Sequence, residues 1–454
     1  MKHDFKGKKV LVMGLGLHDG GVGTVIFLAK QGAKVTVTDL RSRRELASSL
    51  RKIAHLKGIR YVLGRHSRRD FVNADCVVKN PGVRPDSPYL LLARKHRIPV
   101  ISDVGIFFDE CPCRIIGVTG TRGKSTAAYL IWKLLKIKFP RIWLGGNIRK
   151  SVLEFLPRLR SHDIVVLELS SFQLHDLEEV GKSPGIAVVT NIMRDHLNWH
   201  ATMRAYMAAK TVIFKYQHSS DVLFANAHDL KVRRLVRRAP SKVIFPVLPR
   251  TLEKIVDLNL GAHYRGAASL AVGVAEHMGV GREAIIHLVR AFKGLEGREE
   301  EIAVVRGVHC INDTTATVPE AAIAALVRFR ACAGRHCLIL IAGGQDKNLQ
   351  FKEMARVMRG YADEVILLPG TAGEKMKKEL RSRKQQSRIV YTEVSSMREA
   401  VNAAFEHTKA GDYIVLSPGA ASFGIFLNEF DRGQKFIEEV EKYKKCCANP
   451  QLEE

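Results

Sequence analysis

The chain has 454 residues, of which 46% are hydrophobic, a size and composition typical of about three packed domains. No stretch approaches the ~18 uninterrupted apolar residues of a membrane span, and the charged start leads straight into a strand, so we expect a cytoplasmic protein without membrane insertion. The 72 Lys and Arg residues against 46 Asp and Glu give a net charge of +26, but without an aromatic platform or zinc-finger spacing this charge does not predict a nucleic-acid partner.

The N-terminal region predicts a Rossmann-like domain. An apolar strand from Lys9 ends in a glycine-rich turn at Gly16, a helix follows over Val25–Gln31, and a second strand ends at Asp39. In such sheets ligands bind beyond the C-terminal ends of the strands. The glycines do not fit G-x-G-x-x-G cleanly, so dinucleotide binding is weakly indicated. Asp39 is alternatively a strand-terminal residue that only caps a helix.

Cys111-Pro-Cys113 lies at the predicted end of this first domain. The eight cysteines of the chain form no paired C-x-x-C sets, and a chain of this length needs no disulfide framework. We therefore expect reduced, mostly structural thiols.

Residues 114–135 predict a strand, a phosphate-binding turn and a helix. Glycines let successive backbone N–H groups face one anion, Lys124 supplies a mobile positive charge, and the Ser125 hydroxyl can bind Mg²⁺. The first glycine of the common G-x-x-x-x-G-K-[ST] pattern is replaced by Val118, and the alternative is a plain glycine-rich turn. We expect ATP or GTP here, and the candidate residues are Gly120, Thr121, Arg122, Gly123, Lys124, Ser125 and Thr126.

Polar residues follow the next predicted strands. Because the carboxyl ends of parallel strands meet at one edge, we expect these residues to converge above the phosphate loop. They are Asn147, Glu168, Ser170, Ser171, Asn191, Asp195 and His196. Glu168 offers a hard oxygen ligand for Mg²⁺, although a strand-end glutamate is often a capping residue. Lys210 falls on a helix predicted from the N-cap Thr202 to Tyr216, where a lone lysine is ordinarily a solvated charge.

The C-terminal third predicts a second Rossmann-type sheet, because helices and strands alternate from Pro319 to a last strand that starts at Tyr413. The charged tail from Glu438 is expected to fray.

The chain resembles the Mur ligase superfamily, and within it the branch that adds D-glutamate. The resemblance rests on the G-T-x-G-K-S loop and on the segments LELSSFQL (167–174), NIMRDHLNWH (191–200) and AAK (208–210), and it extends over essentially the full length. It implies an α/β fold with three domains. These are a Rossmann-like UDP-substrate domain (1–113), a central P-loop-type ATPase domain with a mostly parallel sheet that binds ATP and Mg²⁺ (114–298), and a C-terminal Rossmann-like amino-acid-binding domain (299–454).

The resemblance also implies an activity: ATP-dependent joining of D-glutamate to UDP-N-acetylmuramoyl-L-alanine through an acyl phosphate. It implies a monomer that binds only small-molecule substrates, with two Mg²⁺ ions and a carbamylated Lys210. The implied catalytic residues are Lys124, Glu168, His196 and Lys210. The implied metal ligands are Ser125, Glu168, His196 and the Lys210 carbamate. Further ATP contacts are Asn147, Arg298 and Asp313. The UDP-substrate residues are Leu15, Asp39, Arg41, Asn80, Gly82 and Ser170. The amino-acid residues are Lys347, Ser417 and Phe423.

Four positions depart from the family pattern. Tyr264 and Ala267 replace two asparagines, Gly297 replaces a histidine, and Thr315 stands where many members have lysine. These changes leave the nucleotide base and the amino acid open. The alternatives are another Mur-type amino-acid ligase and a non-catalytic nucleotide-binding protein with an anionic partner. The Asp-Asn-Pro-Arg motif of the diaminopimelate-adding branch is absent, and folylpolyglutamate synthases lack the Rossmann-like first domain.

Overall fold

The computed structural model of the protein describes residues 3–17, 19–148, 151–292, 294–381, 389–422, 424 and 426–448. Its secondary structure forms three sheets flanked by helices. No helix in these ranges is long and apolar enough to cross a membrane.

The first sheet has five parallel strands in the order β3-β2-β1-β4-β5. The strands are β1 (Lys9–Met13), β2 (Lys34–Asp39), β3 (Arg60–Leu63), β4 (Cys76–Lys79) and β5 (Val100–Ser102). The helices are α1 (Asp19–Lys30), α2 (Ala47–Ile53), α3 (Arg68–Val72), α4 (Pro88–Lys95) and α5 (Asp103–Glu110). Four consecutive residues of β1 are buried, as expected for a strand with helices on both faces of its sheet. The predicted Rossmann-like fold is confirmed.

The second sheet has six parallel strands in the order β11-β10-β9-β6-β8-β7. The strands are β6 (Arg114–Thr119), β7 (Ile142–Gly146), β8 (Ile164–Glu168), β9 (Ile186–Val189), β10 (Val222–Ala225) and β11 (Lys242–Ile244). The helices are α6 (Lys124–Leu135), α7 (Val152–Phe155), α8 (Ser171–Val180), α9 (Leu197–His200), α10 (Met203–Lys215), α11 (Leu230–Leu235), α12 (Arg250–Asn259), α13 (Arg265–His277) and α14 (Arg282–Ala291). Three short 3-10 segments span Leu156–Arg158, Val236–Arg238 and Ala262–Tyr264. The strand order places β6, which precedes the phosphate loop, in the middle of the sheet.

The third sheet has six strands in the order β12-β13-β17-β14-β15-β16. The strands are β12 (Glu300–Val305), β13 (Val308–Asn312), β14 (Leu338–Gly343), β15 (Glu364–Leu368), β16 (Val390–Glu393) and β17 (Tyr413–Leu416). All neighbours are parallel except β12 and β13, which form an antiparallel pair at one edge. The helices are α15 (Pro319–Ala333), α16 (Lys352–Tyr361), α17 (Thr371–Arg381), α18 (Met397–Glu406) and α19 (Glu429–Ala448).

The tail expectation was wrong over most of its length, because α19 continues to Ala448. Phe436 and Val440 are one helical turn apart and both are fully buried, so this face of the helix packs on the third sheet's core. Residues 449–454 lie outside the described ranges.

Contacts divide the chain into two compact units. The first contains Met1–Asp257 and Tyr264–Ala291, and the second contains Leu258–His263 and Phe292–Glu454. The first two sheets share one continuous apolar core, in which the Phe107 ring from α5 contacts Phe155 of α7 with centroids 5.7 Å apart. This shared core explains why the first two sheets form one unit.

Candidate active site

The phosphate loop connects the central strand β6 to α6. Gly120 has a φ of +146°, and a Cβ built on it would lie 1.9 Å from the Thr190 hydroxyl oxygen, so only glycine fits. Asn191 holds the loop from the side: its carbonyl accepts the Thr121 N–H at 2.9 Å, and its side-chain oxygen accepts the Arg122 N–H at 2.7 Å. The loop geometry is therefore fixed by the end of β9 before any ligand binds.

Lys124 is the first residue of α6, directly after Gly123, which caps the helix in the left-handed region. The Lys124 Nζ donates to the Thr121 carbonyl at 3.0 Å, so the side chain folds back over the loop. Ser125 and Thr126 follow in the first helical turn, where backbone N–H groups and the positive end of the helix dipole favour an anion. The loop, the lysine and the helix start thus occupy the places that phosphate binding requires.

Glu168 is the last residue of β8 and is nearly fully buried. Asn147 donates to its Oε1 at 2.8 Å, while among the described residues Oε2 has no hydrogen-bond partner. A buried carboxylate oxygen left unpaired is unfavourable by about 1–3 kcal/mol. The free oxygen therefore favours a cation at this point, and the predicted neighbours Asn147 and Glu168 do come together.

Lys210 is buried although it lies on a helix, with only 1% of its surface exposed. Its Nζ donates to the Gly120 carbonyl at 2.8 Å and approaches the Thr119 hydroxyl at 3.4 Å, and it lies 4.8 Å from the centre of the Tyr206 ring. Within the described part of the chain, no carboxylate lies within 4 Å of it. Burial, with a smaller contribution from the charge of Lys124, lowers the Lys210 pKa well below its ordinary value.

Residues of the 191–206 segment form an aromatic cluster that includes Tyr206, the ring beside this lysine. His196 adopts a left-handed backbone conformation, is partly exposed, and places its ring 4.8 Å from that of Phe172. The Tyr206 hydroxyl contacts the Thr121 hydroxyl at 3.0 Å, and burial raises the Tyr206 pKa to about 12. His200 contacts the Ser171 hydroxyl at 2.9 Å, and burial lowers its pKa to about 4. His200 is therefore a neutral hydrogen-bonding group at neutral pH.

Among the described residues, no three His, Cys, Asp or Glu side chains are grouped so as to hold a metal ion. Of the four predicted ligands, only Glu168 and His196 belong to those residue types. Ser125 and Lys210 do not, and Lys210 can be a Mg²⁺ ligand only if its amine is converted to a carbamate, whose oxygen atoms can bind the ion. The metal prediction therefore depends on the chemical state of Lys210.

The predicted nucleotide-sugar residues lie at the C-terminal edge of the first sheet. Asp39 is buried, and its two oxygens accept the backbone N–H groups of Gly16 at 3.0 Å and Arg41 at 2.9 Å. The Asn80 side chain lies against the glycine turn after β1 and accepts the Gly82 N–H at 3.0 Å. The Leu15 side chain is fully buried, so only its backbone can face a ligand.

Ser170, the sixth predicted nucleotide-sugar residue, lies at the start of α8 and not at the edge of the first sheet. It caps α8, and its hydroxyl accepts the Gln173 N–H in a reciprocal capping box. A buried ion pair that the sequence did not predict ties α8 to the first sheet: Lys79, the last residue of β4, lies 2.7 Å from Asp176 of α8. Through this pair the strand preceding Asn80 and the helix beginning after Ser170 are held together.

In the second unit, Asp313 and Ser417 contact each other. The Ser417 hydroxyl donates to the Asp313 carboxylate at 2.7 Å, and both residues are buried. Burial, reinforced by the charge of Glu299, raises the Asp313 pKa well above its ordinary value. Arg298 lies in the turn before β12, and Lys347 is exposed after β14. Phe423 lies outside the described residues.

Two of the four altered positions contact one another, because the Thr315 N–H donates to the Gly297 carbonyl at 3.1 Å. Ala267 lies beside the phosphate loop, with its Cβ 3.7 Å from where a Cβ on Gly123 would be. Tyr264 is the N-cap residue of α13. Although Tyr264 and Ala267 replace the two asparagines of the family, this region still contains an amide side chain, because the Asn226 side chain donates to the Thr190 carbonyl at 2.9 Å.

Three family models match successive parts of the chain. They are described as the Mur ligase MurD-like N-terminal domain (residues 8–102), the Mur ligase middle domain (118–255) and the Mur ligase glutamate ligase domain (297–419). Among curated proteins, the UDP-N-acetylmuramoylalanine--D-glutamate ligase of Roseiflexus sp. (strain RS-1) is 41% identical over 96% of this chain and 99% of its own length. The protein of the same name from Borreliella afzelii (strain PKo) is 36% identical over 95% of this chain and 97% of its own.

Solved structures share the fold at lower identity. The MurF ligase from Thermotoga maritima in complex with ADP has a TM-score of 0.57 at 15% identity and covers 97% of both chains. A pseudomurein peptide ligase type C from Methanothermus fervidus has a TM-score of 0.56 at 18% identity and covers 96% of this chain and all of its own. At these identities the likeness concerns the fold alone, and it agrees with the three-sheet α/β architecture.

Proposed function

The chain belongs to the Mur ligase family, and we propose that it is the ATP-dependent ligase that adds D-glutamate to UDP-N-acetylmuramoyl-L-alanine, forming ADP and phosphate, in peptidoglycan precursor synthesis. The names and full-length similarity of the curated relatives support the substrates. The structural observation that carries the chemistry is the buried Lys210 amine on the Gly120 carbonyl of the phosphate loop.

The reaction needs activation because a carboxylate is a poor acyl donor. Transfer of the ATP γ-phosphoryl group to the alanine carboxylate makes an acyl phosphate, and the D-glutamate amine then displaces phosphate. The phosphates bind over the loop and at the N-terminus of α6, and Lys124 neutralises the negative charge during transfer. Residues proposed to complete the ATP site are Arg122, Ser125, Thr126, Asn147, Arg298 and Asp313.

The residues of the site fit Mg²⁺, with two ions as proposed for this family. Glu168 presents its unpaired buried oxygen, and Ser125 and His196 add a hydroxyl and an imidazole. When bound, Mg²⁺ would neutralise phosphate charge. Lys210 would contribute an anionic oxygen pair as its carbamate, and its burial supports this because the neutral amine, which burial favours, is the form that reacts with CO₂.

Substrate binding is assigned as follows. The UDP end is proposed to bind at the C-terminal edge of the first sheet, at Leu15, Asp39, Arg41, Asn80 and Gly82, together with Ser170. The D-glutamate carboxylates are proposed to bind Lys347, Ser417 and the Phe423 amide. The Ser417 hydroxyl donates to Asp313, so it would have to exchange this partner for a substrate carboxylate, and the Ser417 N–H donates to Ile341.

We propose three domains: residues 1–113 bind the UDP substrate, residues 114–298 bind ATP and Mg²⁺, and residues 299–454 bind the amino acid. A monomeric cytoplasmic enzyme that acts on small molecules without nucleic acid completes the proposal. The three sheets are consistent with this division.

The direct test is phosphate release by the purified protein with ATP, Mg²⁺ and defined partners. Release should require UDP-N-acetylmuramoyl-L-alanine and should be strongly stimulated by D-glutamate but not by L-glutamate, because two fixed carboxylate sites accept one stereoisomer. Equal stimulation by both enantiomers would reject the assignment. Stimulation by another amino acid would identify a different Mur-type ligase, and nucleic-acid binding without phosphate release in the presence of any amino acid would support the non-catalytic alternative.

A further inference from the structure

The Cys-Pro-Cys sequence at the junction of the first two sheets brings two thiols into contact. Cys111 is the C-cap residue that follows α5, Cys113 precedes β6, and their Sγ atoms lie 3.6 Å apart, both half-buried. The other cysteines are arranged differently: Cys76 and Cys310 are buried, and burial raises the pKa of each thiol to about 12. The contacting pair is therefore chemically distinct from the buried structural thiols.

A cavity of about 560 Å³ opens beside this pair, lined by Cys113, Arg114, His162, His277 and Met278. Arg114 begins β6, so the cavity is at the N-terminal edge of the second sheet, opposite the phosphate loop. Asp163 also lines it, but its carboxylate already accepts hydrogen bonds from Arg141 and the Trp143 indole and lies 3.8 Å from the His162 ring. Because Arg141 balances the charge of Asp163, the Arg114 guanidinium makes the cavity suited to an anionic group.

Positive charge also lies next to Cys111. The Lys182 ammonium donates to the Phe108 carbonyl at 2.9 Å and pairs with Asp109 at 2.8 Å, within the last turn of α5. The two Sγ atoms are within hydrogen-bonding distance and either can be the donor, so each thiol can stabilise a thiolate on the other.

We propose that Cys111 and Cys113 form a thiol–disulfide exchange site for a small anionic disulfide, such as glutathione disulfide, whose carboxylates bind in the adjacent cavity. The assignment concerns a face of the protein remote from the phosphate loop and does not depend on the ligase reaction.

The exchange balances with the disulfide as oxidant. The thiolate of one cysteine of the pair attacks one sulfur of the small disulfide, the S–S bond breaks, and a thiolate leaves and takes up a proton. The other cysteine then loses its proton and attacks the protein sulfur of the mixed disulfide, and the second small thiolate leaves and takes up that proton. In total the two cysteine thiols give two protons and two electrons to the small disulfide, which becomes two thiols.

The experiment uses the full-length protein carrying Cys332→Ser, Cys446→Ser and Cys447→Ser, because those three thiols are exposed and would react on their own. The protein is incubated with excess glutathione disulfide, quenched in acid, alkylated and analysed by peptide mass spectrometry. The peptide containing residues 111–113 should lose two hydrogens without accumulating a glutathione adduct. Two alkylated thiols, or a stable mixed disulfide with no intramolecular bond, would overturn the proposal.

Single substitutions trap the mixed disulfide. Cys113→Ser should accumulate glutathione on Cys111, and Cys111→Ser should accumulate it on Cys113, because each variant keeps one thiol that can attack and lacks the one that resolves the mixed disulfide. Absence of a glutathione adduct on both variants would refute the exchange.

The cavity is tested with an uncharged reagent of the same chemistry. Glutathione disulfide should react faster than bis(2-hydroxyethyl) disulfide, and Arg114→Ala should remove most of that difference while leaving the rate with the neutral reagent unchanged. The same preference in the Arg114 variant would show that the cavity does not bind the anion.

Discussion

The Nζ of Lys210 lies 2.8 Å from the carbonyl oxygen of Gly120, the first residue of the phosphate loop. A buried amine without a carboxylate partner is unfavourable when charged, so the structure stabilises its neutral form. Substitution of Lys210 therefore distinguishes a catalytic role of this residue from a purely structural one.

Lys210→Ala should fold normally and lose most phosphate-release activity, because the site would lose the anionic ligand that we propose for the Lys210 carbamate. Added acetate or formate should restore part of the rate, since a small carboxylate can enter the vacated space, and should not accelerate the unmodified protein. The matched control is Lys215→Ala on the same helix, whose ammonium is exposed and pairs with Glu178. A Lys210 variant as active as this control would remove Lys210 from the site.

Lys124→Ala should lower kcat by at least about a thousandfold, because its charge opposes the charge that develops on the transferred phosphoryl group. Stability should change little, as the side chain contacts the loop rather than the core. Lys133→Ala, on the same helix, provides the comparison because its ammonium only lies over aromatic rings. Near-normal kcat in the Lys124 variant would show that the loop is not catalytic.

Glu168→Gln should raise the Mg²⁺ concentration needed for half-maximal activity by about tenfold or more, because a neutral amide replaces the anionic ligand. The Gln side chain can still accept from Asn147, so the fold should be retained. Titration of activity with Mg²⁺ measures the shift. An unchanged requirement would place the metal elsewhere.

Lys79→Met should lower the free energy of unfolding by about 3–5 kcal/mol, because it removes the ammonium that contacts the buried Asp176 carboxylate. Adding Asp176→Leu should recover most of the loss. The three tryptophans, Trp132, Trp143 and Trp199, all lie in the first unit, so their fluorescence during denaturation reports this unit alone. Asp86→Asn, in the exposed pair with Arg84, should leave the transition almost unchanged. Loss of stability in the double variant equal to that of Lys79→Met would contradict this account.

Asp103 should make the first unit less stable as pH rises. Burial, together with the charge of Asp176 and against the attraction of Lys79, raises its pKa to about 6 from 3.8. The folded state thus binds the proton more tightly than the unfolded state, and the stability gained from protonation is complete below pH ~4 and lost by pH ~6. Asp103→Asn should therefore gain about 2–3 kcal/mol relative to the unmodified protein above pH ~6, and little below pH ~4. A difference independent of pH would show that Asp103 does not titrate in this range.

The sequence alone predicted those features of the site that local patterns in the chain define. Local patterns predicted the phosphate loop and the helix that carries Lys210. That helix, α10, has the predicted N-cap Thr202, and its C-cap is Tyr216. The contact between Lys79 and Asp176 joins residues 97 positions apart, and nothing local to either marks the other as its partner. The contact between the Tyr206 and Thr121 hydroxyls likewise joins residues that are far apart in the chain.

Helices with few apolar residues were among the elements that the sequence analysis did not predict. α12 and α19 bury one face each, and their charged residues obscured the pattern: Leu252 and Val256 in α12 are four residues apart, as are Phe436 and Val440 in α19. Counting these i, i+4 pairs would have detected both helices. The antiparallel edge strand β12 was also not predicted, and of its residues Val305 alone is buried.

The Phe107–Phe155 contact described above has a practical consequence for dissecting the protein. A fragment ending at residue 113 would expose the apolar surface that α5 presents to α7, and it would lack the Asp176 partner of Lys79. Such a fragment is not expected to be an autonomous folding module, whereas one that continues to Ala291 retains both sides of the shared core. Limited proteolysis should correspondingly release the first two sheets as a single resistant piece rather than as two.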